Sequence, residues 1–335
     1  MSILSANTLF HFTDKLQWLI NILDKGFIPR CSTEFDEGNS IFGDNKHGLN
    51  VPMVCFNDIP ISQLRNHIDL YGRYGIGLEK DWGIQAGVSP VFYLNKESEF
   101  VNDYLHIAGG LHNISTVLNS HAQNNQLRSV IYGLTQLQGE HSSLDLHQID
   151  GDLFDLVIAF SALNKYYKPY KGTYRRGDKV FYDYCYYDER EWRYIPTFKN
   201  SEDQTVPEYL YEYYLMQISK RDDPGTVETL KKSLERSIKE GIPEEKIRNY
   251  SPSSMIASEE MRVKYNDALA RSPRYHLVFA LNRVKYIILE SDTEIGLLIK
   301  ALRSLQDTQP ERFTDEAINL ISTKIITCKQ IKEDF

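Results

Sequence analysis

Hydrophobic residues recur along this chain in short blocks whose period keeps changing, and each change marks a new element. Leu9-Phe10-His11-Phe12-Thr13 reads as a strand, after which Leu16, Leu19, Ile20 and Leu23 recur at helical spacing. Thr13 or Asp14 stands where that helix would be capped, and Gly26 where it would stop. Phe27-Ile28-Pro29 leaves in extended form, because a residue before proline avoids the helical region. A polar loop from Ser32 to Asn50 follows. Val51 to Ile61 reads as a buried strand, Ile61 to Leu70 as a helix, and Tyr71 to Leu78 as a turn entering the next strand. Gly83 to Gly87 is a short helix or turn, and Pro90 to Leu94 is another strand.

Two highly polar stretches with helical character, 97–165 and 206–270, interrupt this alternation. Between them Lys179-Val180-Phe181-Tyr182 and Trp192-Arg193-Tyr194-Ile195 return to strand character. Beyond them Leu277 to Ala280 and Lys285 to Leu289 read as strands, and Glu294 to Leu305 and Asp315 to Ser322 as helices. The expectation is a single α+β domain over 1–335 with two helical insertions. Its sheet would be assembled from residues 1–100, 175–196 and 277–290. Short strands and irregular loops favour this over a doubly wound parallel sheet.

Composition narrows the function classes. Of 335 residues, 41% are hydrophobic and 25% charged, which excludes wholesale disorder. A net charge of −8 argues against a general nucleic-acid binder and leaves only a local basic groove. The start, Met1-Ser2-Ile3-Leu4, has no basic leader, and no apolar run approaches the ~18 residues of a membrane span. Cys31, Cys55, Cys185 and Cys328 lack CxxC spacing, and no histidine pairs with one at ligand spacing. We therefore expect a cytoplasmic protein with reduced thiols, no membrane association and no metal.

Tyrosine is over-represented at 22 residues, with many between Tyr166 and Tyr194. An apolar ring with a polar tip suits a half-wet groove, and equally a sheet face covered by aromatics. Within this region Tyr166 to Arg176 interleaves basic and aromatic residues. It reads either as a lid over the sheet or as a contact for a phosphate-bearing or nucleic-acid partner.

Three further features carry candidate chemistry. His11 ends the first strand, where an imidazole can hydrogen-bond a ligand sugar or simply satisfy nearby backbone. Tyr71-Gly72-Arg73-Tyr74-Gly75-Ile76-Gly77 combines ring faces for stacking with glycines that let backbone approach a ligand. It is neither a dinucleotide fingerprint nor a P-loop. In Glu189-Arg190-Glu191-Trp192-Arg193, strand alternation puts Glu189, Glu191 and Arg193 on one face, where Arg193 can offset the carboxylate repulsion. A solvated edge strand is the plainer alternative. No Ser-His-Asp or Cys-His arrangement stands out.

Several of these segments together resemble the AbiGi family of abortive phage infection proteins. They are His11-Phe12-Thr13 with Gly26-Phe27-Ile28-Pro29-Arg30, and Met53-Val54-Cys55-Phe56-Asn57-Asp58-Ile59-Pro60. Tyr71 to Leu78 with Trp82-Gly83-Ile84, Tyr167-Lys168-Pro169-Tyr170, Glu189 to Pro196 and the tail Lys324 to Phe335 complete the set. That resemblance implies a component, often labelled the antitoxin, of a phage-defence toxin–antitoxin system, with a toxin or phage protein as partner. More distantly, His11-Phe12-Thr13 with Leu19, Leu23 and Gly26 is similar to the start of DarT-type ADP-ribosyltransferases. Glu189-x-Glu191 resembles the E-x-E motif of ADP-ribosyltransferases.

This second resemblance implies a split mixed sheet of ADP-ribosyltransferase type and NAD as substrate. It implies cofactor contacts from His11 and Thr13, and stacking from Tyr71 or Tyr74. Glu191 would stabilise charge at the ribose while Glu189 orients the acceptor. The serine-threonine-serine strand motif of such enzymes is missing. The competing expectation is a non-catalytic antitoxin or sensor that binds a protein partner through the same fold.

Overall fold

The structure, a computed structural model, describes residues 6–34, 49–107, 110, 163–176, 179–196, 263, 266–267 and 269–334. Most of the two expected helical insertions therefore lies outside the described residues. Around them the architecture is α+β. The first elements are β1 (Thr8–Thr13), α1 (Leu16–Lys25), β2 (Arg30–Glu34) and β3 (Leu49–Asn57). Then come α2 (Arg65–Tyr71), β4 (Tyr74–Glu79), α3 (Lys80–Gln85), β5 (Ser89–Pro90) and β6 (Phe92–Leu94). β7 (Tyr167–Pro169), β8 (Lys171–Arg176), β9 (Lys179–Cys185) and β10 (Glu191–Tyr194) form the middle block. β11 (Val284–Leu289), α4 (Ile295–Thr308), α5 (Asp315–Ser322), β12 (Ile325–Thr327) and α6 (Cys328–Asp334) close the chain.

The main sheet runs β12-β11-β4-β1-β3-β10-β5, with β2 paired to the first half of β3. It is mixed: β11 and β12 are parallel and the other pairs antiparallel. One face carries Leu9, Ile76, Leu78, Val284 and Ile287 under α1, α4 and α5, whose Leu19, Leu23, Leu298, Leu302 and Ile321 are buried against them. The other face carries Phe10, Phe12 and Ile288 under Ile68 of α2 and Ile331 of α6. Each buried leucine or phenylalanine contributes about 1.5–3 kcal/mol, so the two clusters fix the sheet's position.

β1 and β3 meet at a single residue pair, Phe10 opposite Asn57, and then diverge. The His11 ring spans the opening, with Nδ1 2.8 Å from the Cys55 carbonyl oxygen. β10 enters beyond β3, pairing Glu191 with Asn57 and Arg193 with Cys55. The sheet thus parts where the candidate residues gather.

Four local expectations change. The polar loop expected from Ser32 to Asn50 begins within β2, which runs to Glu34, and ends within β3, which starts at Leu49. The helix cap is Lys15, with no side-chain hydrogen bond, because Thr13 stays in β1 opposite Tyr74 and donates its hydroxyl to the Lys15 carbonyl. Leu277 to Ala280 is not a strand. Phe27 and Leu277 exchange backbone bonds as an isolated bridge, and alternation there records burial of Leu277 and Phe279 without a ladder. Gly75 and Gly77 do not open backbone to a ligand; Cβ atoms there would lie 3.0 Å and 2.8 Å from the Phe12 and Phe10 rings. Those rings occupy the space that the glycines leave.

Candidate functional site

The segment that carries the two glutamates is not one continuous strand. Tyr186–Glu189 forms a 3-10 turn, Arg190 takes a left-handed conformation (φ 44°, ψ 52°), and β10 starts at Glu191. That conformation costs a non-glycine residue about 1 kcal/mol or more. It bends the chain so that both carboxylates point to one place. Asn57 holds the bend by donating Nδ2–H to the Glu189 carbonyl at 2.9 Å, and Asp58 N–H donates to the Arg190 carbonyl at 3.0 Å.

At the meeting point lies Lys168 of β7. Its Nζ is 2.6 Å from Glu189 Oε2 and 2.7 Å from Glu191 Oε2, and lies over the Tyr186 ring. The other oxygen of Glu189 accepts from the Tyr71 hydroxyl. The other oxygen of Glu191 accepts from Arg193 Nε at 2.6 Å. Arg193 is fully buried and spends Nη2 on Glu34 (2.8 Å) and Nη1 on the Lys165 carbonyl (2.6 Å). The Tyr93 hydroxyl accepts from the Glu191 backbone N–H at 2.6 Å.

Burial alone would raise the Glu191 carboxyl, but the Arg193 and Lys168 charges reverse this and hold it well below the usual carboxylate range. Burial likewise opposes charge on Lys168, and Glu189, Glu191 and Glu34 overcome it, pushing its ammonium well above normal. Burial pushes the Cys55 thiol up, with Glu191 adding to the effect, so it is not a nucleophile at neutral pH. Burial pulls His11 below its ordinary value, with the Cys55 carbonyl as a partial offset, and the ring is neutral at pH 7. The ion-paired cluster thus joins three carboxylates, Glu34, Glu189 and Glu191, to Lys168 and Arg193, and Arg175 lines the cavity beside it.

These groups border a cavity of about 420 Å³ whose lining includes His11, Cys55, Tyr71, Lys168, Glu189 and Glu191. A roof of rings stands over it. Tyr174 of β8 stacks on Tyr184 of β9 at 4.8 Å between centroids, and Tyr71 lies 6.4 Å from Tyr174. The tyrosine-rich segment is thus a hairpin, β8 with β9, that lends some of its rings to a half-wet cavity.

Of the residues singled out in the sequence, His11, Tyr71, Glu189 and Glu191 share this cavity. Tyr74 does not. Its ring belongs to the apolar core under α1, and its hydroxyl donates to Glu294 at 2.6 Å. Thr13 also lies outside the cavity lining. Lys168, Glu34 and Asn57 were not singled out. Lys168 stood in the basic-aromatic run, and no local spacing relates it to two glutamates more than twenty residues on. Among the described residues, no group of three His, Cys, Asp or Glu side chains is placed to hold a metal, and no helix is long and apolar enough to cross a membrane.

Fold and site define an α+β protein with a buried, ion-paired cavity at the parting of its sheet. The model of a protein family described as "Putative abortive phage resistance protein AbiGi, antitoxin" matches residues 28–220, and the chain belongs to that family. The matched span holds Tyr71, Lys168, Glu189 and Glu191, whereas His11 and Thr13 precede it. The chain is also 24% identical over 322 residues to the abortive phage resistance protein AbiGi of Lactococcus lactis subsp. cremoris, covering 92% of this chain and 99% of that protein. No solved structure matches.

Proposed function

We propose that this chain acts in antiphage defence and that its cavity binds NAD for transfer of ADP-ribose to a macromolecule, on a sheet of ADP-ribosyltransferase type. Family membership supports the defence role. The observation that carries the chemistry is the convergence of His11, Tyr71, Glu189 and Glu191 on one cavity from three distant stretches of chain. Its volume falls within the ~300–1,000 Å³ usual for small-molecule sites.

Glu189 and Glu191 on the cavity wall attract a cationic ring placed beside them. The nicotinamide ring of NAD is a pyridinium, and tyrosine faces attract such cations. When the bond between ribose C1′ and the ring nitrogen breaks, its electron pair neutralises the ring and positive charge develops on C1′. Glu191, held ionised by Arg193, is a preorganised counter-charge for that state. An acceptor nucleophile then bonds C1′, and Glu189 takes the proton it releases. Lys168 bonds both glutamates, so it is the group that a cationic ligand displaces.

The test is NAD consumption and adduct formation by the wild type and Glu191→Gln. A loss of about 10²–10³-fold is expected in the variant. Equal turnover, or none in either protein, sinks the enzymatic reading. One observation favours a second reading, that of a non-catalytic antitoxin or sensor: every carboxylate oxygen of Glu189 and Glu191 already has an internal partner. In that case the cluster holds the interior of the fold together, and a surface away from it binds a toxin. Capture of the cognate toxin would then survive Glu191→Gln in a chain that never consumes NAD.

A further inference from the structure

Lys168 and Arg193 are the two cations of the ion-paired cluster, and they hold its glutamates in different ways. Arg193 lies in β10 of the main sheet and is fully buried. It divides its guanidinium among Glu191, Glu34 and the Lys165 carbonyl, and so ties separate stretches of chain together. Lys168 has a narrower set of contacts. Among the described residues its ammonium meets Glu189 Oε2 at 2.6 Å, Glu191 Oε2 at 2.7 Å and the Tyr186 ring, whose centroid is 4.7 Å away.

Two carboxylates and a ring face are the groups that recognise a free organic cation. All three line the cavity, and so does Lys168 itself, whose side chain keeps 13% exposure where that of Arg193 has none. The lysine thus occupies the recognition surface as a ligand would. Its strand also stands apart: β7 pairs with β6 in a two-stranded sheet outside the main one. An ammonium on a flexible stem has no fixed fork of donors, so Nζ can turn off both carboxylates while β7 stays paired. Arg193 has no such freedom, because Glu34 and the Lys165 carbonyl hold it from the other side.

The geometry points to Lys168 as a tethered competitor that keeps this cavity closed to free cations. The inference rests on the reading of the cavity as the NAD site and adds its regulation. The resting protein is self-occupied, and a ligand gains the two glutamates by bringing a positive charge to the place that the ammonium leaves. A group fixed to the chain competes at an effective concentration of order mM. The ligand's affinity is therefore reduced by the fraction of molecules in which Nζ has withdrawn. A neutral ligand gains nothing from the exchange, since both buried carboxylates would lose a cation. The complete internal pairing of Glu189 and Glu191 is then the closed state of the site.

The test is calorimetric binding of 1-methylnicotinamide, a small pyridinium, to the full chain, with nicotinamide as the neutral ring of similar shape. Lys168→Gln keeps an N–H donor for the carboxylates without the charge, and Lys168→Met keeps only the apolar stem. In both, affinity for 1-methylnicotinamide should rise about tenfold or more over the wild type, and affinity for nicotinamide should stay the same. Lys168→Arg, which restores a cation, should bind as weakly as the wild type. Both uncharged variants should unfold at lower urea. Saturating 1-methylnicotinamide should then raise their melting temperatures more than that of the wild type, so a weakened fold still reports binding. Unchanged or weaker pyridinium affinity in both variants, an equal gain for nicotinamide, or binding in none of the proteins overturns the inference. NAD turnover separates it from the reading on which it rests. Tighter pyridinium binding with no NAD consumed by any protein removes the transfer chemistry and keeps the competitor, and NAD consumption with unchanged pyridinium affinity does the reverse.

Discussion

Tyr71 and Tyr74 flank one turn, and each donates its hydroxyl to a glutamate, but the two bonds belong to different kinds of structure. Tyr71 closes α2 and reaches Glu189, a buried carboxylate tied through Lys168 to Glu191 and Arg193. Tyr74 opens β4, its ring packed in the aliphatic core, and its hydroxyl emerges beside half-exposed Glu290 and Glu294. Gly72 sends the two side chains apart. Its φ of 131° is open to glycine, and a Cβ there would sit 2.1 Å from the Thr13 carbonyl oxygen. At the Tyr74 end, apolar burial holds the sheet and polar groups decorate its margin. At the Tyr71 end the charges themselves are buried, and each depends on its neighbours.

The hardest blow to that contrast is Arg193→Met, which leaves Glu191 and Glu34 buried without their shared cation. Stability should fall by about 3–5 kcal/mol in urea unfolding, because an unpaired interior charge loses more than the pair ever contributed. A variant as stable as the wild type would mean that the cluster is solvated.

Acid sensitivity should also concentrate at the Tyr71 end, in two windows. His67 has a folded pKa lowered to about 4, so between about pH 6.5 and 4 the unfolded chain binds more protons, and stability declines as pH falls. His11 is shifted the same way and adds to this window. Glu191 is depressed, so its contribution is complete above ~4 and is lost below that as pH falls towards the folded value. Urea unfolding across pH 7 to 3 should show both declines. His67→Phe should flatten the upper window and Glu191→Gln the lower one. Unchanged profiles would place the acid response elsewhere.

The smallest expected effects compare the two hydroxyls directly. Tyr71→Phe removes a donor to a buried carboxylate and should cost about 1.5–3 kcal/mol. Tyr74→Phe, whose acceptors keep access to water, should cost about 0.5–1.5 kcal/mol. Thermal unfolding of the two variants side by side gives the ranking, and a reversed order would break the comparison.

Much of the scaffold was legible locally. The apolar spacing of Leu16, Leu19 and Leu23, with Gly26 behind it, gave α1 its length, and α5 falls at the expected Asp315–Ser322. Strand period placed Glu191 and Arg193 on one face, where they are indeed bonded. The same reasoning treated Glu189 as part of that strand. It reaches the shared site through a turn and a left-handed Arg190, for which no hydrophobic period gives a sign. The glycines of β4 read as room for a ligand, but their space is taken by phenylalanines from the neighbouring strand.

The sequence by itself therefore determined most of the described element types and the common face of Glu191 and Arg193. It also marked His11, Tyr71 and the glutamates as candidates, because periodicity and residue chemistry act over a few neighbouring positions. Tertiary structure alone decided that Lys168 sits between two glutamates, that Glu34 answers Arg193 from 159 residues away, and that Tyr71 faces the cavity while Tyr74 faces the core. Those choices follow from where the sheet parts between β1 and β3 and from the turn at Gly72. Both are set by packing across the whole fold and leave no trace in local spacing.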